Sequence, residues 1–304
     1  MRVTAVYNPE AGPQGMTRER LARLLERAGY DASYVSAKGK RWKGALENAG
    51  DLVVVAGGDG TTAKVAKRLA GRGVPLAILP AGTANNIARS LGLDGPLEHL
   101  VAGWAEALPT PIDLGLARGP WGEELFVEAW GLNVFPRMLE RAAALENVPP
   151  AKRAAHGPSD HGINLMIQLV KSSPARHWSV MVDDEDLSGE YILLEAMNIR
   201  YIGAAMDLAP SATATDGVLD VIAIRENERD AFAEYLRELQ VGMKPRGEFT
   251  RRGRRIEIRG AESLAHIDDE PWPERDAAGN ADRVELGREP IVVEVLPGAL
   301  EVLM

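Results

Sequence analysis

The chain has 304 residues, 45% apolar and 26% charged, a composition that supports two globular domains of ordinary size, each with its own core. Its 44 acidic side chains outnumber 35 basic ones, and the net charge of -9 argues against holding nucleic acid by the overall field, while local basic patches stay open. Cysteine is absent, which excludes disulfides, thiolate metal sites and a cysteine nucleophile, and no apolar run approaches the roughly 18 residues of a membrane span.

Met1 runs directly into the apolar stretch Val3 to Tyr7 without the basic segment and long apolar core of a secretory signal, so a cytoplasmic location with at most peripheral membrane contact is expected. Val3 to Tyr7 itself reads as a short buried strand, and Asn8-Pro9 through Gly15 as a loop. In Thr17 to Ala28, Leu21, Leu24, Leu25 and Ala28 recur on one helical face, and Gly29 supplies the stop. A strand over Ala32 to Ser36 follows. Leu52 to Ala56 reads as strand, Gly57-Gly58-Asp59-Gly60-Thr61 as a glycine loop, and the stretch through Leu69 as helix. The same grammar returns at Leu76 to Leu79, Pro80-Ala81-Gly82-Thr83 and a helix carrying Ile87, Ala88 and Leu91. Alternating strands and helices predict a parallel sheet with ligands at its carboxyl ends.

Beyond about Asp113 the grammar changes. Leu125 to Ala129, Trp178 to Val182, Tyr191 to Met197, Val218 to Ile224, Arg254 to Ile258 and Ile291 to Val295 read as strands, with helices near Ile163 to Val170 and Asp230 to Val241. The expected architecture is an α/β nucleotide-binding domain with a parallel sheet over residues 1–118. A mainly β, sandwich-like substrate domain follows over 119–304, whose C-terminal segment can pack back on the first domain.

Glycines at 57, 58 and 60 let backbone N–H groups approach a phosphate, and the following helix terminus favours negative charge. Asp59 is unusual in a bare anion cradle. It makes sense if the phosphate arrives with Mg²⁺ or if the carboxylate caps a helix. A second cluster, Gly82, Thr83, Asn85 and Asn86, stands at the next strand end, and two such loops are hard to explain as packing alone. Neither is the GxxxxGK phosphate loop or the GxGxxG dinucleotide fingerprint.

Together, GGDGT at 57 to 61, PAGTANNIARSLGL at 80 to 93 and the early Asn8-Pro9 loop resemble the catalytic domain of diacylglycerol and sphingosine kinases, including bacterial lipid kinases. GGDGT alone is shared with NAD kinases and phosphofructokinases; the combination is specific. The likeness continues at Pro111 to Gly115, at Asn198 to Asp220, at Asp268-Asp269-Glu270 where the family has DGE, and at the final VLPGALEVLM. Only about 140 to 190 match poorly.

The resemblance implies ATP as phosphoryl donor, Mg²⁺, and a lipid alcohol as acceptor. Asn8, Ser36, Gly57, Gly58, Asp59, Gly60, Thr61, Thr62, Ala63, Gly82, Thr83 and Asn85 would serve the nucleotide. Asp59 and Asp113 would hold a catalytic Mg²⁺, and Asp216 with the carbonyls of Thr213 and Val218 a structural one, an oxygen-only set that suits a hard cation. A plain β-turn accounts equally well for Asp216-Gly217. Asp268 is expected as proton acceptor and Glu270 as its partner, alternating along a strand end so that they share one face while Asp269 points away. Without the resemblance, an acidic turn before Pro271 is the simpler reading.

Departures from the family pattern are Ala63-Lys64 in place of Asn-Glu, Asn86 in place of Asp, and Leu132-Asn133 and Ala204-Ala205 where glycines are frequent. The five histidines, 99, 156, 161, 177 and 266, show no paired metal spacing and read as solvated or hydrogen-bonded. Ser159-Asp160-His161 is a local polar cluster, not a triad. Trp121, Trp130 and Trp178 are as easily core as interfacial. The basic run Arg251, Arg252, Arg254, Arg255 reads as a solvated strand face or as a contact for anionic lipid headgroups. The expected partner is a lipid substrate at a membrane surface, with a homodimer left open. A soluble-metabolite kinase resembling NAD kinase, and a nucleotide- or lipid-binding protein without turnover, are the alternatives.

Overall fold

The computed structural model describes residues 2–12, 15–146, 158–243, 249–260, 262–272 and 289–304, with no side chain described from 143 to 161. Two compact units emerge, the first made of Met1–Leu114, Thr213–Gly217 and Leu296–Met304, the second of Gly115–Ala212 and Val218–Val295. The change of grammar in the sequence placed the division after residue 118; the compact units divide after Leu114.

The first unit alternates β1 (Val3–Tyr7), α1 (Arg18–Arg27), β2 (Ala32–Ser36), α2 (Arg41–Glu47), β3 (Leu52–Gly57), α3 (Asp59–Leu69), β4 (Leu76–Pro80), α4 (Asn86–Ser90) and α5 (Leu97–Gly103). Helix α1 begins where the Thr17 hydroxyl accepts the Arg20 N–H at 3.2 Å. It stops at Arg27, two residues ahead of Gly29, whose φ of 81° is left-handed, and it buries Leu21 and Leu25 completely. Every residue of β3 is buried, as both faces of a central parallel strand must be. The strands of this alternation pair in parallel, β1 with β2 and β3, and β3 with β4, giving the order 2-1-3-4. The order reverses between β1 and β3, so the carboxyl ends of these two strands form the crevice where such sheets bind ligands. Val302, near the end of the chain, joins this sheet beside Leu76.

Chain order continues with β5 (Pro109–Gly119), β6 (Gly122–Phe126), β7 (Ala129–Asn133), α6 (Val134–Glu146), α7 (Pro158–Ser172), β8 (Arg176–Val182), β9 (Glu185–Asp186), β10 (Gly189–Met197), β11 (Tyr201–Ile202), β12 (Met206–Asp207), β13 (Leu219–Arg225), α8 (Arg229–Gln240), β14 (Thr250–Gly253), β15 (Arg255–Gly260), β16 (Ala265–Ile267), β17 (Glu270–Trp272) and β18 (Ile291–Leu303). The pairings inside the second unit are antiparallel. Strand β10 is buried on both faces. One face, with Leu194 and Ala196, joins a core of Trp130, Trp178 and Val293; the other, with Leu193 and Met197, meets a core carried by helices α6, α7 and α8. Trp130 and Trp178 are therefore core residues, while Trp121 is half-buried against Trp272. Among the described residues no helix is long and apolar enough to cross a membrane.

Two expectations are corrected. The strand expected over Leu125 to Ala129 is broken, because the N–H groups of Val127 and Glu128 donate to the Asp268 carboxylate at 2.9 and 2.8 Å instead of to a neighbouring strand. Asp268 and Glu270 do not alternate along one strand. Ile267 pairs with Glu270, so Asp268 and Asp269 form the two-residue turn of a hairpin, with Asp268 at φ 51°.

Candidate functional site

At the crevice of the first unit, Asn8 follows β1 and Gly57-Gly58 close β3. The Asn8 N–H donates to the Ala56 carbonyl at 2.9 Å, and its side-chain amide donates to the Thr61 hydroxyl at 3.3 Å. Helix α3 then starts after Gly58 without a side-chain cap from that residue, and a helix start of this kind favours an anion. The loop after β4 crosses this point. A Cβ on Gly82 would overlap the Gly58 Cα, so that residue must be glycine for the loops to pass, and one on Gly58 would press the Gly82 Cα at 3.1 Å. The second loop is braced internally, with Asn85 accepting the Gly82 N–H at 2.8 Å and donating to the Gly82 carbonyl at 3.0 Å.

Asn8, Gly60, Thr61 and Lys64 line a cavity of about 210 Å³, together with Lys38 and Trp42. Gly82 lines another of about 300 Å³ with Gly12 and Arg20. Ser36 closes β2 and its hydroxyl accepts the Lys38 N–H at 3.2 Å. Thr83 is exposed. Thr62 and Ala63 are 3% and 2% exposed and pack inside α3, so their side chains serve the helix more than the crevice.

Asp59 is buried and its Oδ1 accepts the Ile87 N–H at 3.0 Å, with the Asn85 and Asn86 amides also bonding the carboxylate. The acidic residue of the glycine loop thus caps the start of α4 in the neighbouring loop. Burial pushes its carboxyl above the ordinary range against the pull of these donors. Asp113 is also buried. Its two oxygens accept the N–H groups of Gly217 at 2.7 Å and Gly298 at 2.8 Å, while its own N–H donates to the Ala214 carbonyl at 2.6 Å. It therefore clamps both returning segments of the first unit. Thr213 and Asp216 lie exposed in one of them, with Gly217 at φ 71° forming a turn, and Val218 follows. The donors named for a cation are all oxygens, which fits a hard divalent ion such as Mg²⁺.

In the second unit, Asp268 is 4% exposed and Glu270 is exposed. The backbone of Asp268 is pinned by its N–H to the Ala129 carbonyl at 2.8 Å. Asp269, expected to point away, brings a carboxylate oxygen within 4.8 Å of one on Glu128. The sequence missed Glu128 because it sits at the expected end of a strand. It also passed over Glu195, whose trace was a single carboxylate inside the apolar run Tyr191 to Met197, and which meets His266, one of the histidines read as solvated or hydrogen-bonded, at 2.6 Å in the core. His156, and the side chains of Ser159, Asp160 and His161, lie outside the described residues. Two positions where the resemblance leads one to expect glycine keep a glycine-like backbone without it, Asn133 at φ 73° and Ala205 at φ 59°. Asn133 is anchored by side-chain bonds to the carbonyls of Pro174 and Ile192.

Residues 2–117 match the model of the diacylglycerol kinase catalytic domain, and residues 151–304 that of the YegS C-terminal NAD kinase beta sandwich-like domain. A "Probable lipid kinase YegS-like" of Pseudomonas aeruginosa is 32% identical over 260 residues, covering 82% of this chain and 75% of that protein. A diacylglycerol kinase of Mycobacterium tuberculosis is 27% identical over 246 residues, covering 75% of this chain and 74% of the relative. A solved structure of a diacylglycerol kinase from Bacillus anthracis superposes with a TM-score of 0.73 at 21% identity, covering 99% of this chain and 96% of that one, which shows a shared fold. With both halves matched and the crevice loops in place, the chain belongs to the diacylglycerol kinase and YegS-like family of lipid kinases.

Proposed function

We propose that this kinase uses ATP with Mg²⁺ to phosphorylate a hydroxyl of a diacylglycerol-like lipid. The observation that carries the donor half is the passage of Gly58 against Gly82, which leaves bare backbone at the switch point beside an uncapped helix start. Asn8, Thr61 and Lys64 border that crevice and would meet the polyphosphate. Asp59 and Asp113 would hold the ion that accompanies ATP, with the Asp216 turn as the place for a second. Bound there, Mg²⁺ would neutralise charge on the phosphate oxygens.

In the transfer, the acceptor hydroxyl oxygen bonds to the γ-phosphorus as the bond from that phosphorus to the β,γ-bridging oxygen breaks, and ADP leaves. The hydroxyl proton passes to Asp268 and from there to solvent. The two backbone donors at 2.9 and 2.8 Å hold the Asp268 carboxylate in place for that step. Glu270, exposed at the start of β17, would act as its partner. The acceptor is reached by peripheral contact with a membrane surface.

Asp268→Asn tests this reading, because an amide oxygen can still accept from Val127 and Glu128 while losing the basic oxygen. Radiolabelled ATP offered with dioleoylglycerol vesicles, total lipid extract and NAD should label a lipid. Asp268→Asn should lower that labelling by about a hundredfold or more with nucleotide affinity retained. Label appearing in NAD would transfer the assignment to a soluble acceptor, and wild-type turnover in Asp268→Asn would remove the base.

A further inference from the structure

Across three neighbouring strands of the second unit, Glu195 of β10, Gly131 of β7 and His266 of β16 stand in one row, since Gly131 is the register partner of both others. Glu195 and His266 are each 0% exposed. The glycine between them is required: a Cβ there would overlap the Glu195 carboxyl, which occupies the space above Gly131 on its way to His266. The carboxylate Oε2 lies 2.6 Å from His266 Nε2, and Oε1 has no hydrogen-bond partner among the described residues.

The other ring nitrogen settles the protonation. Nδ1 is 2.7 Å from the Asp268 carbonyl oxygen, which can only accept, so Nδ1 carries a proton. Nε2 and Glu195 must then share one more, as imidazolium against carboxylate or as imidazole against carboxylic acid. Without it a bare carboxylate would face a lone pair inside an apolar core. Burial lowers the imidazole, but the Glu195 charge, the bond to Glu195 and the bond to the Asp268 carbonyl outweigh it, so His266 is held above its ordinary range; burial also pushes Glu195 up. The groups acting on His266 are Glu195 from β10 and Asp269 from the turn; the Phe135 ring of α6 lies 4.6 Å away and Gly131 offers no side chain.

The Asp268 carbonyl belongs to a turn residue at φ 51°, the left-handed region that aspartate enters in two-residue hairpin turns. We infer that Glu195 and His266 are positioning residues that act through the Asp268 carbonyl, holding the Asp268-Asp269 turn in place by one shared buried proton. The inference rests on the proposed role of Asp268, to which it adds a support fully buried from solvent.

Glu195→Gln replaces the shared proton by an amide N–H that donates to the Nε2 lone pair, so the link to the turn survives while its titratable proton is lost; His266→Phe removes the link itself. With nitrogen-15-labelled protein, the wild-type ring should keep its proton above the ordinary histidine range, and Glu195→Gln should show a neutral ring protonated at Nδ1. A wild-type ring titrating near its ordinary 6.5 overturns the proposal. Amide exchange at Val127, Glu128 and Asp268 should quicken about tenfold or more in His266→Phe and stay near wild type in Glu195→Gln. His266→Gln replaces the phenylalanine variant if that one does not fold, and unchanged exchange overturns the positioning role. Phosphorylation of dioleoylglycerol vesicles should fall on the alkaline side in the wild type and stay level in Glu195→Gln, and an identical alkaline fall in both counts against the dyad. Full turnover in Asp268→Asn would remove the base while leaving the ring-nitrogen and exchange results intact, so the two readings fail separately.

Discussion

Gly58 and Gly82 pass one another with no room for a side chain on Gly82 and only a tight 3.1 Å approach for one on Gly58, although they close different strands of the first unit. Gly82→Ala should therefore force the loops apart, costing roughly 1–3 kcal/mol as overpacking does. Gly58→Val should lower affinity for an ATP analogue at least about tenfold while the protein remains folded. Urea unfolding checks the first and calorimetric titration of the folded Gly58→Val protein the second, where wild-type affinity would move the nucleotide away from this crevice.

Asp113→Ala should destabilise the protein by about 2–5 kcal/mol, because it strands the N–H groups of Gly217 and Gly298 and loosens two segments at once. Asp113→Asn keeps one acceptor and should cost less. Urea unfolding measures the difference. If Asp113→Asn leaves stability intact yet abolishes phosphorylation, its contact with the ion outweighs its work as a clamp.

Stability should also depend on pH through the buried dyad. His266 is raised in the folded chain, so its contribution is fully present below the unfolded value near 6.5 and is lost as pH rises through the folded value. Unfolding free energy should decline above about pH 6.5 by at most about 1.4 kcal/mol per pH unit from this group. Glu195→Gln should flatten that decline; an equal slope in both proteins would assign it to other groups.

The basic run divides. Arg252 pairs with Asp220 and Arg255 with Glu257 and Glu294, whereas the guanidinium groups of Arg251 and Arg254 have no ion-pair partner among the described residues, although the Arg254 backbone N–H donates to the Asp183 carboxylate. If the run meets anionic headgroups, Arg251→Glu and Arg254→Glu should weaken flotation with phosphatidylglycerol vesicles more than Arg255→Glu does. The difference should shrink in high salt. Equal binding to neutral phosphatidylcholine vesicles would remove the run from membrane contact.

What the sequence determined by itself is whatever repeats locally. The apolar run of β3, the spacing of Leu21 and Leu25 in α1 and the glycine loops after β3 and β4 depend on neighbours within a few residues, so strand, helix and loop could be read in place. The family likeness likewise rests on short contiguous motifs. Tertiary structure alone decided which atoms those motifs engage. Asp59 could be seen as a cap, but that it caps α4 across the sheet end depends on how two loops cross. Asp113 reaches partners 104 and 185 residues away, and Glu195 finds His266 across 71. Such pairs leave no periodic trace, because register and strand order bring them together. The hairpin of Asp268 shows the same limit: alternation predicted a shared face for Asp268 and Glu270, and a pairing of Ile267 with Glu270 turned the triplet into a bend whose carboxylate holds another strand's amides.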